Sequence, residues 1–258
     1  MKIVDLSVTI ANNIPVDPPH QIPKINYLTH DQPESLEVMR KYFPTITKAD
    51  LPEGQGWATE SLEIRTHVGT HMDAPWHYHP TMNGGEPAWT IDQIPLEWCI
   101  GDGVVVDFSD KPDGYVATSK DFIEYFKKIN YTLKLNDIVL LHTNASKVWG
   151  DAKYLTTGCG VGREGTIWLC DQGVHTVGTN AWSWDAPLSL VAKKFEETGD
   201  KSIIWEGHKA GMTKAYLQLE KLTNLDKLPH YGFTFIAFPI KIEKASAGWV
   251  RAVAILND

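Results

Sequence analysis

Residues 67–77 read His67-Val68-Gly69-Thr70-His71-Met72-Asp73-Ala74-Pro75-Trp76-His77, with His79 two positions beyond. Given the first histidine, a second histidine, an aspartate and a third histidine at these offsets arise by chance about once in 10,000 at ordinary residue usage. Neutral imidazole and carboxylate are the ligands that hold Zn²⁺ or Mn²⁺, and three protein ligands leave positions open for water and substrate. The stretch therefore predicts a catalytic divalent-metal site at His67, His71 and Asp73, against the plainer alternative of a polar loop. It is not the helical His-Glu-x-x-His arrangement of zinc proteases, because Gly69 and Thr70 separate the first two histidines and Ala74-Pro75 follow the aspartate. The spacing predicts a strand over 61–66, a glycine-dependent turn, then a helix with Asp73 near its N-cap and Pro75 in its first turn. A metal so held lowers the pKa of bound water from about 15.7 toward about 7. His77, with an ordinary pKa near ~6.5, suits a proton shuttle between the attacking water and the leaving group. The alternative is that His77 is a fourth ligand.

Outward from this stretch, short or alternating apolar runs predict strands at 3–10, 61–66, 104–108, 138–142, 166–169, 233–242 and 251–255. Thr118 with Asp121 three residues later forms a capping box, and Phe122, Tyr125, Phe126 and Ile129 share one face of a helix over 119–129. Asp185-Ala186-Pro187 opens a second helix, with Leu188, Val191, Ala192 and Phe195 inward and Gly199 at its end. A third is expected over 212–222. Residues 12–56, rich in proline and polar residues with a short helix around 35–42, predict a surface strap or lid. With no linker and no repeat, residues 1–258 are expected to form one α/β domain.

The 258 residues are 43% hydrophobic and 22% charged, enough for a packed core. Acidic residues outnumber basic ones 32 to 24, and no Lys/Arg cluster exceeds the pair Lys193-Lys194, so nucleic acid is an unexpected partner. Asp5 interrupts any N-terminal apolar stretch and the longest apolar run, 233–240, is too short to span a bilayer, which predicts a cytoplasmic protein with no membrane partner. Three cysteines, Cys99, Cys159 and Cys170, fit buried thiols better than a disulfide frame.

Other signals carry less. Gly160-Val161-Gly162-Arg163-Glu164-Gly165 matches the dinucleotide fingerprint in form, but the strand expected at 166–169 leaves no helix to receive a pyrophosphate, so a flexible loop is expected. His142 ends an apolar strand and reads as structural rather than catalytic. His20, His30, His175 and His230 lack partners at ligand spacing, and His79 is unassigned. There is no Gly-x-Ser-x-Gly nucleophile motif.

The eleven residues also match, at every fixed position, the His-x-Gly-Thr-His-x-Asp-x-Pro-x-His signature of the metal-dependent cyclase family, which includes bacterial kynurenine formamidase and isatin hydrolase. The start Val4-Asp5-Leu6-Ser7 resembles that family's first strand, and Trp184-Asp185-Ala186-Pro187 its later Asp-Ala-Pro-type turn. The resemblance implies a swivelling β/β/α fold, a mixed β-barrel-like sheet flanked by helices, assembled as a homodimer or larger. It implies a metal at His67, His71 and Asp73. It also implies a second ion at Asp73, His208 and Glu220, since His208 and Glu220 have the twelve-residue separation of the formamidase ligands. Isatin hydrolase resembles the one-metal case, so one or two Mn²⁺ or Zn²⁺ ions remain open, as does Glu220 as a solvated helix residue. The long 12–56 segment and extra residues after His77 make the chain more similar in length to isatin hydrolase. Trp57, Trp76 and Tyr78 flank the signature and suit a flat, cyclic or aromatic substrate, or else belong to the core. The implied activity is metal-dependent hydrolysis of a non-peptide C–N bond, in an isatin-like cyclic amide or an aryl formamide. Lactone opening, polyketide-type cyclisation and non-catalytic binding of a small carboxylate are the alternatives.

Overall fold

A computed structural model describes residues 1–256. Among these residues fifteen strands form, beginning in chain order with β1 (Lys2–Asp5), β2 (Lys24–Leu28), β3 (Thr59–Glu63), β4 (His71–Asp73), β5 (Thr81–Met82), β6 (Glu86–Pro87), β7 (Ile100–Asp107) and β8 (Val116–Ala117). They continue with β9 (Ile138–His142), β10 (Gly160–Val161), β11 (Thr176–Thr179), β12 (Leu217–Glu220), β13 (Phe233–Ile236), β14 (Ala247–Trp249) and β15 (Val253–Leu256). Six α-helices accompany them: α1 (Pro33–Arg40), α2 (Pro75–Tyr78), α3 (Ser119–Lys128), α4 (Arg163–Asp171), α5 (Leu188–Thr198) and α6 (Glu206–Lys209).

Nine strands make one curled mixed sheet in the order β1-β15-β13-β7-β9-β11-β12-β4-β14. Strands β7, β9, β11 and β12 run parallel, and antiparallel pairs extend the sheet at both ends. The parallel strands are buried on both faces, as such strands require. Alternation divides them cleanly: Val105, Ile138 and Leu140 join Leu217, Leu219 and Phe235 in one core. Val104, Val106, Val139 and Leu141 face the other, which α3 and α4 cover with Phe122, Phe126 and Leu169. The α/β class and the barrel-like sheet flanked by helices are as expected.

Locally, β9 and α3 lie where the sequence places them, α3 with the Thr118–Asp121 capping box formed. Elsewhere the structure corrects the sequence. Residues 166–169 lie within α4, not a strand: Thr166 and Leu169 are buried one helical turn apart, and Trp168 stacks on the α3 rings Phe122 and Phe126. So Gly160–Gly162 do lead from a strand into a helix, and they are buried rather than a flexible loop. The dinucleotide reading still fails, because the Arg163 amide at the helix start donates to Glu206 Oε2 at 3.1 Å, placing a carboxylate where the phosphate would sit. The helix expected over 212–222 is instead the strand β12: Leu217-Gln218-Leu219-Glu220 alternates with period two, and all four are buried. Helix α5 ends at Gly199 with φ +67°, but it buries no residue, and Pro187 rather than Asp185 is its cap.

The 12–56 segment contains α1 and β2 and is mostly exposed. Strand β3, shorter than the expected 61–66, pairs with β2 outside the main sheet. All three cysteines are free, and burial pushes each thiol up to about 12. Among the described residues no helix is long and apolar enough to cross a membrane.

Candidate functional site

The site begins with a register. Strand β4 pairs antiparallel with β12 so that His71 lies opposite Glu220 and Asp73 opposite Gln218. Side chains two apart on a strand share a face, so His71, Asp73, Gln218 and Glu220 project together while Met72 and Leu219 enter the apolar core on the other side. Before β4 the chain turns through Gly69 at φ +70°, where an added Cβ would also meet Ile10 Cγ1 at 2.8 Å. After β4, Ala74 caps α2 with Pro75 in its first turn. Asp73 thus ends β4 directly before the Ala74 cap, near the N-cap as expected, and α2 carries His77 back over it.

Asp73 is fully buried and is the hub. Its Oδ1 lies 2.9 Å from His67 Nδ1 and 3.2 Å from His71 Nε2; its Oδ2 lies 3.9 Å from His208 Nε2 and 4.0 Å from His77 Nε2. Glu220 Oε2 stands 3.5 Å from His71 Nε2. His67, Asp73 and His77 offer one set of converging donor atoms, and His71, Asp73 and Glu220 a second.

The residues fit a cation. His71 Nδ1 is 2.8 Å from the Gly69 carbonyl, which can only accept, so Nδ1 carries the hydrogen and Nε2 presents a lone pair. That Nε2 and Asp73 Oδ1 are buried without a hydrogen-bond partner. Two such atoms 3.2 Å apart, with the opposite imidazole nitrogen fixed by a carbonyl, form a donor arrangement that suits a metal centre. His208 is oriented likewise, its Nδ1 on the Asp185 carboxylate, which also accepts the Gly207 and His208 amides at 2.7 and 3.1 Å.

Gln218, which the sequence did not single out, sits inside the triad Asp73, His208 and Glu220. Its Nε2 is 3.1 Å from Asp73 Oδ2, 2.7 Å from His208 Nε2 and 2.9 Å from Glu220 Oε1. The Asp73 and Glu220 carboxylate oxygens accept from Nε2 and so fix the amide orientation, while the Tyr216 hydroxyl lies 3.0 Å from both Gln218 Oε1 and the Gly207 carbonyl. Glu220 itself is buried on a strand, not solvated on a helix.

Charge follows from this crowding. Burial would raise Asp73, but the imidazoles of His67, His77 and His71 outweigh it and hold the carboxyl well below its usual range. Burial, with Asp73 beside it, raises Glu220. Burial pushes His77 down to about 3, with His67, His208 and His71 adding to the effect and Asp73 opposing it, so the ring is neutral at pH 7. His67 is raised: burial lowers it, and Asp73 more than compensates.

A cavity of about 580 Å³ opens over these groups, lined among others by His67, His77, His208, Glu220, Trp182 and Trp205. Trp205 stacks on His208 with ring centroids 4.4 Å apart and meets His77 edge-on at 5.2 Å. Of the aromatic residues singled out from sequence, Trp57 and Trp76 are about half exposed and are not among the cavity's lining side chains. Tyr78 is buried behind the site, stacked on Tyr216 at 4.8 Å and with its hydroxyl 3.4 Å from the Asp73 carbonyl. His142 pairs with Asp107 at 3.2 Å, and His79 contacts Thr81 Oγ1 at 2.9 Å.

The Cyclase family model matches residues 4–186, a span that includes the whole 67–77 stretch. The chain belongs to the Cyclase family. It is 26% identical over 219 residues to an isatin hydrolase from Roseibium aggregatum, covering 79% of this chain and 77% of that one. To a kynurenine formamidase from Erythrobacter litoralis it is 25% identical over 206 residues, 79% of each chain. An isatin hydrolase structure bound to the product analogue thioisatinate superposes with TM-score 0.77 at 20% identity, covering 100% of this chain and 93% of that one. That likeness establishes the fold; His208 and Glu220 lie beyond the matched family segment.

Proposed function

We propose that this chain is a metal-dependent amidohydrolase that opens the C–N bond of a cyclic amide of the isatin kind or of an aryl formamide. The observation that carries the proposal is the pair of buried lone pairs without a hydrogen-bond partner, His71 Nε2 and Asp73 Oδ1, lying beneath His67, His77 and Glu220, which line the cavity. His67, His71 and Asp73 would hold one divalent ion, Mn²⁺ or Zn²⁺, with Glu220 within reach of the same point. Bound there, such an ion polarises a substrate carbonyl and makes water a competent nucleophile near neutral pH.

A second ion at Asp73, His208 and Glu220 would have to displace the Gln218 amide from between them. We therefore assign one ion per chain. His77 is the proton carrier of this proposal: its neutral ring is free to take a proton from the attacking water and return it to the leaving nitrogen, and the nearby Asp73 carboxylate opposes the burial that weakens it as a base. Trp182 and Trp205 offer flat apolar walls to an aromatic substrate. Trp57 and Trp76 stay candidate substrate contacts through movement of the strap or α2, and Tyr78 through the packing of His77.

An assembly of two or more copies belongs to the same proposal, since Tyr27, Tyr42, Phe43, Trp57 and Leu62 are left exposed on or beside the strap. Light scattering of the purified chain tests it.

The activity test is an ultraviolet assay of Mn²⁺-loaded and Zn²⁺-loaded protein on isatin, N-formylkynurenine and an unsaturated lactone, each with a chelator control. Chelator-sensitive turnover of either nitrogen substrate is expected, with one bound ion per chain by metal analysis. Turnover of the lactone alone would move the reaction to C–O bonds. Saturable binding of carboxylates without turnover would make the protein a binder.

A further inference from the structure

Next to Glu220 stands a lysine that the proposed chemistry does not use. Lys221 is 1% exposed and adopts φ +58°, a conformation that side-chain-bearing residues rarely take. Its backbone is pinned from both ends: its amide donates to the Ala181 carbonyl at 3.0 Å, and its carbonyl accepts the Thr70 hydroxyl at 2.7 Å. The ammonium reaches three elements at once. It pairs with Asp17 of the strap, donates to the His67 carbonyl at 2.8 Å, and lies 5.5 Å from the centre of the Trp182 ring. Trp182 closes the junction by donating its indole N–H to the same Asp17 oxygen at 2.9 Å. Asp17 is 3% exposed, and four residues on Gln21 lines the cavity.

A buried ion pair is a poor way to gain stability, because desolvating both charges offsets their attraction and apolar side chains serve as well. What it supplies is direction: an ammonium at this spot fixes one carboxylate and one carbonyl relative to each other. Here those groups belong to the strap and to the residue holding the first metal-facing imidazole.

We propose that Lys221 is a positioning residue that couples the strap to the metal centre. Its junction with Asp17, the His67 carbonyl and Trp182 sets the strap, one cavity wall and the His67 ring as a unit, so loosening any member loosens the others. The inference rests on the ligand role given above to His67.

The test uses the full chain with Lys221→Met, Asp17→Asn and the double variant, in which neither partner is charged. Two quantities are read: the Mn²⁺ dissociation constant, from the paramagnetic signal of free Mn²⁺, and amide hydrogen exchange over residues 14–28 and 64–72. Each single change is expected to weaken Mn²⁺ by about tenfold, because Lys221 holds the main-chain carbonyl of His67 and Asp17 holds Lys221, so either loss frees the residue that carries the imidazole. Exchange should rise in both segments, and the double variant should be no worse than the worse single one. Dissociation constants within twofold of the parent, additive losses, or faster exchange in the strap alone would each overturn the coupling. If Lys221→Met does not fold, Asp17→Asn and the double variant decide by the same criteria. Absence of Mn²⁺ binding by the parent chain would instead refute the metal proposal. Exchange would then decide the coupling: a rise in both segments supports it and a rise in the strap alone refutes it.

Discussion

Glu220→Gln should move metal affinity and fold stability in opposite directions. Glu220 is buried, and burial together with Asp73 raises its pKa. A carboxyl raised in the folded state favours folding while it is protonated. That contribution is complete below the unfolded pKa and is lost as pH rises through the folded one, so at pH 8 the metal-free protein carries the full cost of the charge. Glutamine removes that cost and adds a donor. Its Oε1 can still accept the Trp184 amide at 3.2 Å and the Gln218 amide at 2.9 Å. Its Nε2 takes the place of the oxygen 3.5 Å from the unpartnered His71 Nε2. One satisfied buried acceptor and one fewer buried charge amount to about 1–3 kcal/mol. At about 2–4 °C per kcal/mol for a chain of this size, melting with excess chelator should rise by roughly 2–12 °C. Mn²⁺ affinity should fall at least about tenfold, equivalent to ~1.4 kcal/mol, through loss of an anionic oxygen. Thermal melting with chelator at pH 8 and a Mn²⁺ titration read the two effects. A lower melting temperature would falsify the buried-charge argument, and an unchanged Mn²⁺ affinity would remove Glu220 from the centre.

His77→Ala should keep its metal, as measured by metal analysis, and lose turnover by about 10²–10⁴-fold; loss of the metal would make His77 a ligand. Asp121→Ala should destabilise α3. Burial would raise Asp121, but the Thr118 amide and hydroxyl, Tyr115 hydroxyl and Lys111 ammonium hold it at about 2, below its ordinary 3.8. A depressed carboxyl stabilises above its unfolded pKa and loses that contribution as pH falls through the folded one. Urea denaturation should therefore show a gap of about 1 kcal/mol at pH 6, discounted for solvent screening, that closes near pH ~2; a gap independent of pH would point to packing instead. Arg65 lines the cavity with no acidic partner among the described residues. Arg65→Gln should raise KM for a carboxylate-bearing formamide and leave that of neutral isatin unchanged, and equal changes in both would exclude charge recognition.

What was legible in the sequence was whatever a short window contains. The 67–77 stretch carries four site residues because a strand, a glycine turn and one helical turn bring them together locally, and the Thr118–Asp121 box is complete within four residues. His67, His71, Asp73, His77, His208 and Glu220 do converge. The last two came from resemblance, since nothing local joins them to the rest. The strand β12 was misread because Met212 to Leu222 includes apolar positions that also suit a helix. Only its pairing with β4, set by chain far away in sequence, favours the extended form.

A helix at 212–222 also hides what Gln218 and Lys221 do. On a helix, Gln218 and Glu220 would point roughly 200° apart; on a strand they share a face. Read as a strand, 217–220 places an amide two residues before the carboxylate and against the same aspartate, and the next residue, Lys221, turns away toward the strap. Gln218 thus separates the Asp73, His208 and Glu220 donors that the resemblance assigns to a second ion. If the amide is the barrier, Gln218→Ala should admit a second Mn²⁺ per chain at millimolar metal, visible as spin coupling between the two ions. A variant that still binds one ion would show that the donor separation, not the glutamine, sets the stoichiometry.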